Sequence, residues 1–244
     1  MSPGSLVRPV WRWITRPVGS VRAIATTQPD VVLTYDDGPD PVTTPAVLEA
    51  LRAHNATATF FMLTPRAVAN KSLVHEIVSA GHEIALHGID HTRLTQYSSA
   101  EVLRRCREGK AILEDIAGVE VRWFRAPYGA ILLPHWTAVR RSGMEPVAWG
   151  PTARDWVQLP EEEMAQAALG SAQAGEIILA HDAFAGADVG VDDGPAPTVD
   201  RGKLAELLLS GLASLGLSAK SLGDTVNTAQ ANPARPRRWA WFLR

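Results

Sequence analysis

The chain has 244 residues, of which 46% are hydrophobic and 20% are charged. This composition is typical of a folded globular protein and excludes a disordered or collagen-like chain. The single cysteine, Cys106, excludes an intrachain disulfide and a cysteine-rich zinc module, so any metal must be held by histidine and carboxylate. No stretch of the sequence approaches the ~20 apolar residues that a membrane-spanning helix requires.

The net charge of −2 conceals an uneven distribution. The terminal segments 1–30 and 225–244 contain eight of the 24 basic residues but only one of the 26 acidic residues, so the middle of the chain is acidic. This acidic body argues against nucleic acid as a partner. The same two segments contain four of the eight tryptophans, namely Trp11, Trp13, Trp239 and Trp241.

Between these segments, apolar runs rich in β-branched residues alternate with helical patterns. In chain order the sequence predicts strand 31–35, helix 43–53, strand 57–63, helix 65–80, strand 83–86, helix 98–118, strand 121–124, helix 134–142, strand 145–148, helix 160–173, strand 176–180 and helix 198–215. Ser98 and Glu101 form a predicted capping box at the start of helix 98–118. Repeated strand-then-helix units predict a mostly parallel sheet with helices outside. About seven such units would close better as a barrel than as an open sheet, but the spacing is compatible with both.

Polar residues follow five of the predicted strands, at the carboxyl ends where α/β folds place their functional sites. The segments are 36–40, 87–91, 125–128, 155–156 and 181–182. We therefore expect their side chains to meet at one end of the sheet.

Two histidines and two aspartates in these segments have the composition of a metal site. His87 and His91 are four residues apart, so one helical turn would place both rings on one side. Two imidazoles and a carboxylate leave room for water, as in a catalytic zinc site. Of Asp36 and Asp37, one can bind the metal while the other acts as general base. Each pattern alone is common by chance, but their coincidence at the ends of buried strands favours catalysis.

Five motifs, in the family's order, resemble those of the polysaccharide deacetylases, the carbohydrate esterase family 4 enzymes with the NodB homology domain. Residues 34–39 resemble T-F-D-D-G-P, 87–91 resemble H-[ST]-x-x-H, 125–128 resemble R-x-P-Y, 155–156 resemble the end of D-x-x-D-W, and 178–181 contain the closing L-x-H. The likeness covers about residues 31–226.

The resemblance implies a distorted (β/α)7 barrel and a role for each matching residue. Asp37, His87 and His91 would bind a divalent metal, with zinc expected first and cobalt or another divalent ion as alternatives. Asp36 would be the general base that activates the attacking water. His181 would be the general acid that protonates the leaving amine.

Other matching residues would support these groups. Arg125 would orient Asp36, and Asp155 would pair with His181 and raise its pKa. The backbone N–H of Tyr128 would stabilise the oxyanion. The substrate pocket would be lined by Pro127, Trp156 and Leu179.

The sequence departs from the family pattern at two positions. Gly88 stands where the second motif has Ser or Thr, a residue that braces the metal-binding loop in the family. Asp90 or a water would have to replace that hydrogen bond. Thr152 stands where the fourth motif has its first aspartate.

The resemblance predicts a metal-dependent hydrolase that removes an N-acetyl group from an amino-sugar-containing glycan and releases acetate. The substrate would be a polysaccharide or a small or lipid-linked oligosaccharide. One alternative is a deacylase of a non-sugar amide on the same fold. Another is a catalytically inactive carbohydrate-binding module, although the base, the acid and all three metal ligands are present.

The domain prediction is a basic, tryptophan-containing arm over residues 1–30, a catalytic domain over 31–226 and a basic aromatic tail over 227–244. The arm lacks an apolar run of signal-peptide length, so we expect a cytoplasmic protein. Arginine and tryptophan in both terminal segments are compatible with peripheral contact with the inner membrane face, but packing of these segments on the barrel is the favoured interpretation. Segment 183–203 is predicted to be a mobile lid or rim, or else a solvated spacer.

Overall fold

A computed structural model describes residues 18–192, 194–228 and 236–239. The strands are β1 (Ser20–Ile24), β2 (Asp30–Asp36), β3 (Thr59–Leu63), β4 (Glu83–Gly88), β5 (Trp123–Phe124), β6 (Glu145–Pro146), β7 (Ile177–His181), β8 (Ser218–Lys220) and β9 (Pro236–Trp239). The helices are α1 (Thr44–Ala53), α2 (Thr64–Ala69), α3 (Lys71–Ser79), α4 (Ser99–Ala117), α5 (Leu133–Arg141), α6 (Glu161–Leu169), α7 (Arg201–Ser214) and α8 (Leu222–Thr228). No described helix has the length and apolar character needed to cross a membrane.

The central sheet is parallel and runs in the order β6-β5-β4-β3-β2-β7, with β8 also paired to β2. Two segments bridge the gap between β6 and β7. Strand β1 accepts a hydrogen bond from Ala148 N at Val21 O and donates one from Ile24 N to Gly175 O. Residues 150–153 pair with β7, where Leu179 N donates to Pro151 O. The sheet therefore closes as a distorted (β/α)7 barrel, as the resemblance predicted.

Strand β2 shows how the sequence places its last carboxylate in the barrel. All seven residues of β2 are buried, and alternate side chains point to opposite faces. Val32 packs inside the barrel with Phe61 and Ile177, whereas Leu33 packs in the outer layer against the helices. Asp36 shares the face of Val32, so it lies inside the barrel at the carboxyl end of the strand.

Helix α4 begins and ends where the sequence predicted. The Ser98 hydroxyl accepts a hydrogen bond from Glu101 N at 3.2 Å. Gly118 follows the last turn with φ of 68°, in the left-handed region that glycine adopts without steric cost. The helix packs its buried face, which includes Val102 and Leu113, into the outer core.

Several elements differ from the predictions. Predicted helix 65–80 is two helices, α2 and α3, separated at Asn70, whose φ of −125° is not helical. Strands β5 and β6 are shorter than predicted, and strands β1, β8 and β9 and helix α8 were not predicted. Strand β1 lies in the segment assigned to the N-terminal arm, yet its Val21 and Ile24 side chains are buried in the barrel core.

Candidate active site

A cavity of about 430 Å³ opens at the carboxyl ends of the barrel strands. Asp36 at the end of β2 lies opposite His181 at the end of β7 in the strand register. Nine of the eleven predicted site residues line the cavity: Asp36, Asp37, His87, His91, Tyr128, Asp155, Trp156, Leu179 and His181. Arg125 is buried behind the cavity wall and donates a hydrogen bond to Asp36. Pro127 is also buried and lines a separate small cavity next to Gly88 and Asp90.

The three predicted metal ligands converge. Asp37 Oδ1 lies 3.4 Å from His87 Nε2 and 3.4 Å from His91 Nε2, and the three ligand atoms lie within 4.8 Å of one another. Ligands about 2.0–2.2 Å from a tetrahedral ion are separated by roughly 3.4 Å. Asp37 Oδ1 is buried and has no hydrogen-bond partner among the described residues. Both observations fit a divalent metal.

The protein holds the ligands in their metal-binding forms. His87 Nδ1 lies 2.9 Å from the carbonyl oxygen of Arg125, so Nδ1 carries the hydrogen and Nε2 is free for the metal. Burial lowers the pKa of His91 to about 4 and keeps that ring neutral. For Asp37, burial raises the pKa, but the adjacent His87 ring and the charge of His181 outweigh burial and place the pKa well below its ordinary value.

The helical turn predicted for residues 87–91 is wrong. His87 belongs to strand β4, and His91 lies in a bend after the strand. His91 N donates a hydrogen bond to Val189 O at 3.0 Å, which fixes the bend against the loop after β7. The two rings still meet, with centroids 5.2 Å apart.

Asp37 has an uncommon backbone conformation. Its φ of 79° lies in the left-handed region, which disfavours residues other than glycine by about 1–3 kcal/mol. This turn breaks the strand alternation and brings the Asp37 carboxylate to the same cavity as Asp36. Arg66 Nη1 donates to Asp37 O at 3.1 Å, and Ala185 N donates to Asp37 Oδ2 at 3.2 Å. These bonds hold both the backbone and the side chain of the ligand.

Arg125 holds the predicted general base. Its Nη1 donates to Asp36 Oδ1 at 2.6 Å and to Thr34 Oγ1 at 2.8 Å, and Nη2 donates to Ala148 O at 3.2 Å. Burial lowers the pKa of Arg125 and the charge of Asp36 opposes this shift, but an arginine in a protein remains protonated. The bond engages one oxygen of Asp36 and leaves Oδ2 as the oxygen that can accept a proton.

The predicted general acid is held in its protonated form. His181 Nδ1 lies 2.7 Å from Asp155 Oδ1, and His181 N donates to Asp155 Oδ2 at 2.8 Å. Burial opposes protonation of His181, but the charge and hydrogen bond of Asp155 dominate and raise its pKa to about 9. With Nδ1 bonded to Asp155, Nε2 is the nitrogen that can donate a proton to a substrate in the cavity.

Sequence reasoning missed Arg201, the first residue of α7. Arg201 Nη1 donates to Asp155 Oδ2 at 3.0 Å and to His181 O at 2.7 Å. For Asp155, burial is outweighed by His181 and Arg201, so its pKa is lowered and it stays ionised. The residue lies inside a predicted helix, where nothing in the local pattern indicates a contact with β7.

Asp182, whose role the sequence left open, braces the first motif. Its Oδ1 accepts a hydrogen bond from Gly38 N at 3.2 Å and its Oδ2 accepts one from Thr44 Oγ1 at 2.6 Å. A Cβ at Gly38 would lie 1.9 Å from Asp182 Oδ2, so this position requires glycine. Burial raises the pKa of Asp182 to about 6.

Asp90 braces the loop in which Gly88 replaces Ser or Thr. Asp90 Oδ1 accepts a hydrogen bond from Thr92 N at 3.1 Å, and Oδ2 accepts one from Arg105 Nη2. The side chain that bonds to Gly88 itself is Thr64, whose hydroxyl donates to Gly88 O at 3.0 Å, so the replacement of the missing hydroxyl by Asp90 stays a prediction. At Thr152, the hydroxyl accepts a bond from Arg154 N.

The remaining predicted pocket residues lie around the acid and the metal site. Trp156 is 44% exposed, with its ring edge-on to His181 at a centroid distance of 5.6 Å. Leu179 is buried in the cavity floor. Tyr128 packs its ring 4.4 Å from the ring of His91, and the oxyanion role of its backbone N–H stays a prediction.

The first part of the predicted lid segment, residues 183–191, is anchored rather than free. Ala185 and Val189 are buried and pack with Leu63. Arg66 donates to Phe184 O at 2.8 Å and pairs with both carboxylate oxygens of Asp188. This part of the loop therefore forms one wall of the metal site.

Comparison with known proteins places the chain in a family. The family model for polysaccharide deacetylase matches residues 23–147. A chitooligosaccharide deacetylase of Azorhizobium caulinodans is 38% identical over 68% of this chain and 79% of the relative. A peptidoglycan-N-acetylglucosamine deacetylase of Bacillus cereus is 34% identical over 62% of this chain and 72% of the relative.

A solved structure shares the fold. The family 4 acetyl xylan esterase from Clostridium thermocellum, in complex with a cobalt ion, superposes with a TM-score of 0.70 and 28% identity, over 81% of this chain and 90% of that chain. The fold and the Asp-His-His cluster define a metal-dependent hydrolase. The chain belongs to the polysaccharide deacetylase family, as its motifs predicted.

Proposed function

We propose that this protein removes the acetyl group from an N-acetylated amino sugar in a glycan and releases acetate, with zinc as its metal. The observation that carries the proposal is the convergence of three groups in one cavity: an Asp-His-His metal site, a carboxylate held by a buried arginine, and a histidine held by a buried aspartate. The chitooligosaccharide and peptidoglycan deacetylases among its relatives support an N-acetylglucosamine glycan as substrate.

Zinc fits the donor set of Asp37, His87 and His91, because two imidazoles and one carboxylate leave a fourth position open. A divalent ion bound there lowers the pKa of water and polarises the acetyl carbonyl. The cobalt ion in the related esterase supports cobalt as an alternative.

The chain's own residues move the protons. Asp36 accepts a proton at Oδ2 from the attacking water, whose oxygen forms a bond to the acetyl carbon. His181 donates its Nε2 proton to the amide nitrogen as the carbon–nitrogen bond breaks, so acetate and a free amine result. Asp155 remains ionised and keeps His181 in the productive tautomer. The Tyr128 N–H donates to the developing oxyanion, and Trp156 and Leu179 enclose the acetyl methyl.

Two variants test this assignment. Asp36→Asn is expected to keep stoichiometric metal and to lose about 10²–10⁴-fold in turnover, the usual effect of removing a general base. The matched variant Asp37→Ala is expected to lose the metal itself. Acetate release from N-acetylglucosamine oligomers and metal content measure the two effects. Wild-type protein that binds zinc and these oligomers without releasing acetate would instead support the inactive binding module.

We also propose that the terminal segments attach the enzyme to the cytoplasmic membrane face. The support is the sequence alone, since Trp11, Trp13 and Trp241 lie outside the described residues, as do the arginines beside them. Basic residues near an anionic surface contribute about 1 kcal/mol each. Salt-sensitive binding of the full chain to anionic vesicles, abolished on removing residues 1–17 and 240–244, is the expected result. If the same fraction of the full chain sediments with and without vesicles, the proposed membrane attachment is refuted.

A further inference from the structure

Arg93 is an exposed cation on the active-site cavity, and no acidic residue among those that the structure describes forms an ion pair with it. Within the part of the chain that the structure describes, its side chain forms neither an ion pair nor a hydrogen bond, and its guanidinium carbon lies 4.0 Å above the centre of the Tyr128 ring. The other arginines of the site are each bonded to a carboxylate, Arg125 to Asp36 and Arg201 to Asp155.

The position of Arg93 relates it to the reacting groups. The Tyr128 ring contacts both groups: its centre lies 4.0 Å from the guanidinium carbon of Arg93 and 4.4 Å from the centre of the His91 ring. Arg93 and the metal ligand His91 therefore share one aromatic neighbour and line the same cavity. Stacking on Tyr128 also restricts the guanidinium to the cavity rim, so less freedom would be lost when it binds a ligand.

The charge of the cavity favours an anion. The Asp36–Arg125 and Asp155–Arg201 pairs balance internally, so a divalent ion on Asp37, His87 and His91 together with Arg93 leaves an excess of positive charge. The body around the cavity is acidic, so this charge is local. A neutral glycan would not interact with this excess positive charge. A planar guanidinium can donate two parallel hydrogen bonds to a phosphate or a carboxylate.

We propose that the substrate is an anionic glycan, with a phosphate or carboxylate close to the N-acetyl group that is removed, and that Arg93 binds this anion. The proposal rests on the proposed function and specifies the substrate class of the same site. Arg93 determines specificity and takes no part in proton transfer.

Three matched probes test the proposal: the neutral N-acetylglucosamine trimer, the same trimer with a reducing-end phosphate, and the trimer oxidised to its aldonate. The zinc-loaded full chain is compared with Arg93→Gln, Arg93→Lys and the control Arg107→Gln, an exposed arginine on α4. Wild type should prefer an anionic trimer in kcat/KM by about tenfold or more, the usual effect of a hydrogen bond to a charged group. Arg93→Gln should lose this preference, Arg93→Lys should keep part of it and Arg107→Gln all of it.

Comparison of the phosphate trimer with the aldonate trimer identifies which anion the enzyme prefers. A preference that decreases with added salt confirms its electrostatic origin. Deacetylation of all three trimers without an anionic preference, or a preference that survives in Arg93→Gln, would overturn the inference and leave the proposed function intact. If no trimer is deacetylated, the proposed function fails. Calorimetric binding of the three trimers to the Asp36→Asn variant, with and without Arg93→Gln, then decides the inference independently: equal affinities overturn it.

Discussion

Arg66 connects the strained metal ligand to the loop after β7, and we expect its removal to weaken metal binding as well as folding. Its guanidinium donates to the carbonyl of Asp37 at 3.1 Å and to that of Phe184 at 2.8 Å, and it pairs with Asp188. Phe184 precedes Ala185, whose N–H holds the Asp37 carboxylate. One side chain thus fixes the ligand from two directions.

The expected change in the free energy of unfolding follows from these contacts. Asp188 is 55% exposed, so its ion pair contributes no more than about 1 kcal/mol after screening by solvent. The two hydrogen bonds to carbonyl groups involve a charged donor. Because they are only half-buried, each is expected to stabilise the fold by about 1.5 kcal/mol, the lower limit for hydrogen bonds to charged groups. Arg66→Ala is therefore expected to lower the free energy of unfolding by about 3 kcal/mol. Loss of a residue that orients a metal ligand lowers metal affinity by about 10–100-fold.

The assay is competition for zinc against a chromophoric chelator, beside urea unfolding of the metal-free chain. Asp188→Asn is the matched control, because it leaves the guanidinium and its bonds to both carbonyls. It should cost less than about 1 kcal/mol and leave zinc affinity near that of wild type. Wild-type zinc affinity in Arg66→Ala, despite lost stability, would refute the link between this residue and the metal site. An equal loss of affinity in Asp188→Asn would assign the effect to the ion pair instead.

Three further variants test the acid and the second motif. Asp155→Asn is expected to lower the pKa of His181 from about 9. Because the acid must be protonated, activity falls as pH rises through that pKa. The alkaline limb of the kcat–pH profile should therefore move to lower pH. Arg201→Met removes a cation beside Asp155 and should move the same limb to higher pH, so shifts in one common direction would contradict the assignment. Gly88→Ser restores the family residue but places a Cβ 2.5 Å from Asp90 O; we expect a loss of about 1–3 kcal/mol in urea unfolding, and a stabilised variant would show that the loop can move.

The sequence predicted which polar groups lie at the strand ends, because the apolar pattern of a buried strand can be read from a few consecutive residues. Asp36 is the last residue of a fully buried strand, and alternation alone places it inside the barrel. His181 ends a second apolar strand, so Asp36 and His181 meet once both strands are in one parallel sheet. The division of roles between them came from the resemblance to the family and remains a prediction.

Other features depend on contacts that sequence patterns do not encode. The spacing of His87 and His91 fits a helical turn, but it also fits a strand followed by a bend, and four residues are too few to separate the two. Arg66 and Arg201 bind groups more than 15 residues away along the chain, so no local pattern marks them. Strand β1 was not predicted, because Arg22 interrupts its apolar run. In the structure the Arg22 side chain donates a hydrogen bond to the carbonyl oxygen of Trp149.

The pairing of β1 with β9 has a consequence for both ends of the chain. The strands are antiparallel, and Ser20 lies opposite Trp239, so the chain enters the fold and leaves it at one place. Two segments tethered at one point act as a divalent ligand: when one is bound to a surface, the other is held there at a high effective concentration. Deleting either segment should therefore weaken a shared attachment by much more than that segment's own affinity. The same proximity would allow a short linker to join Trp239 to Ser20 in a circular permutant that lacks the segments beyond them.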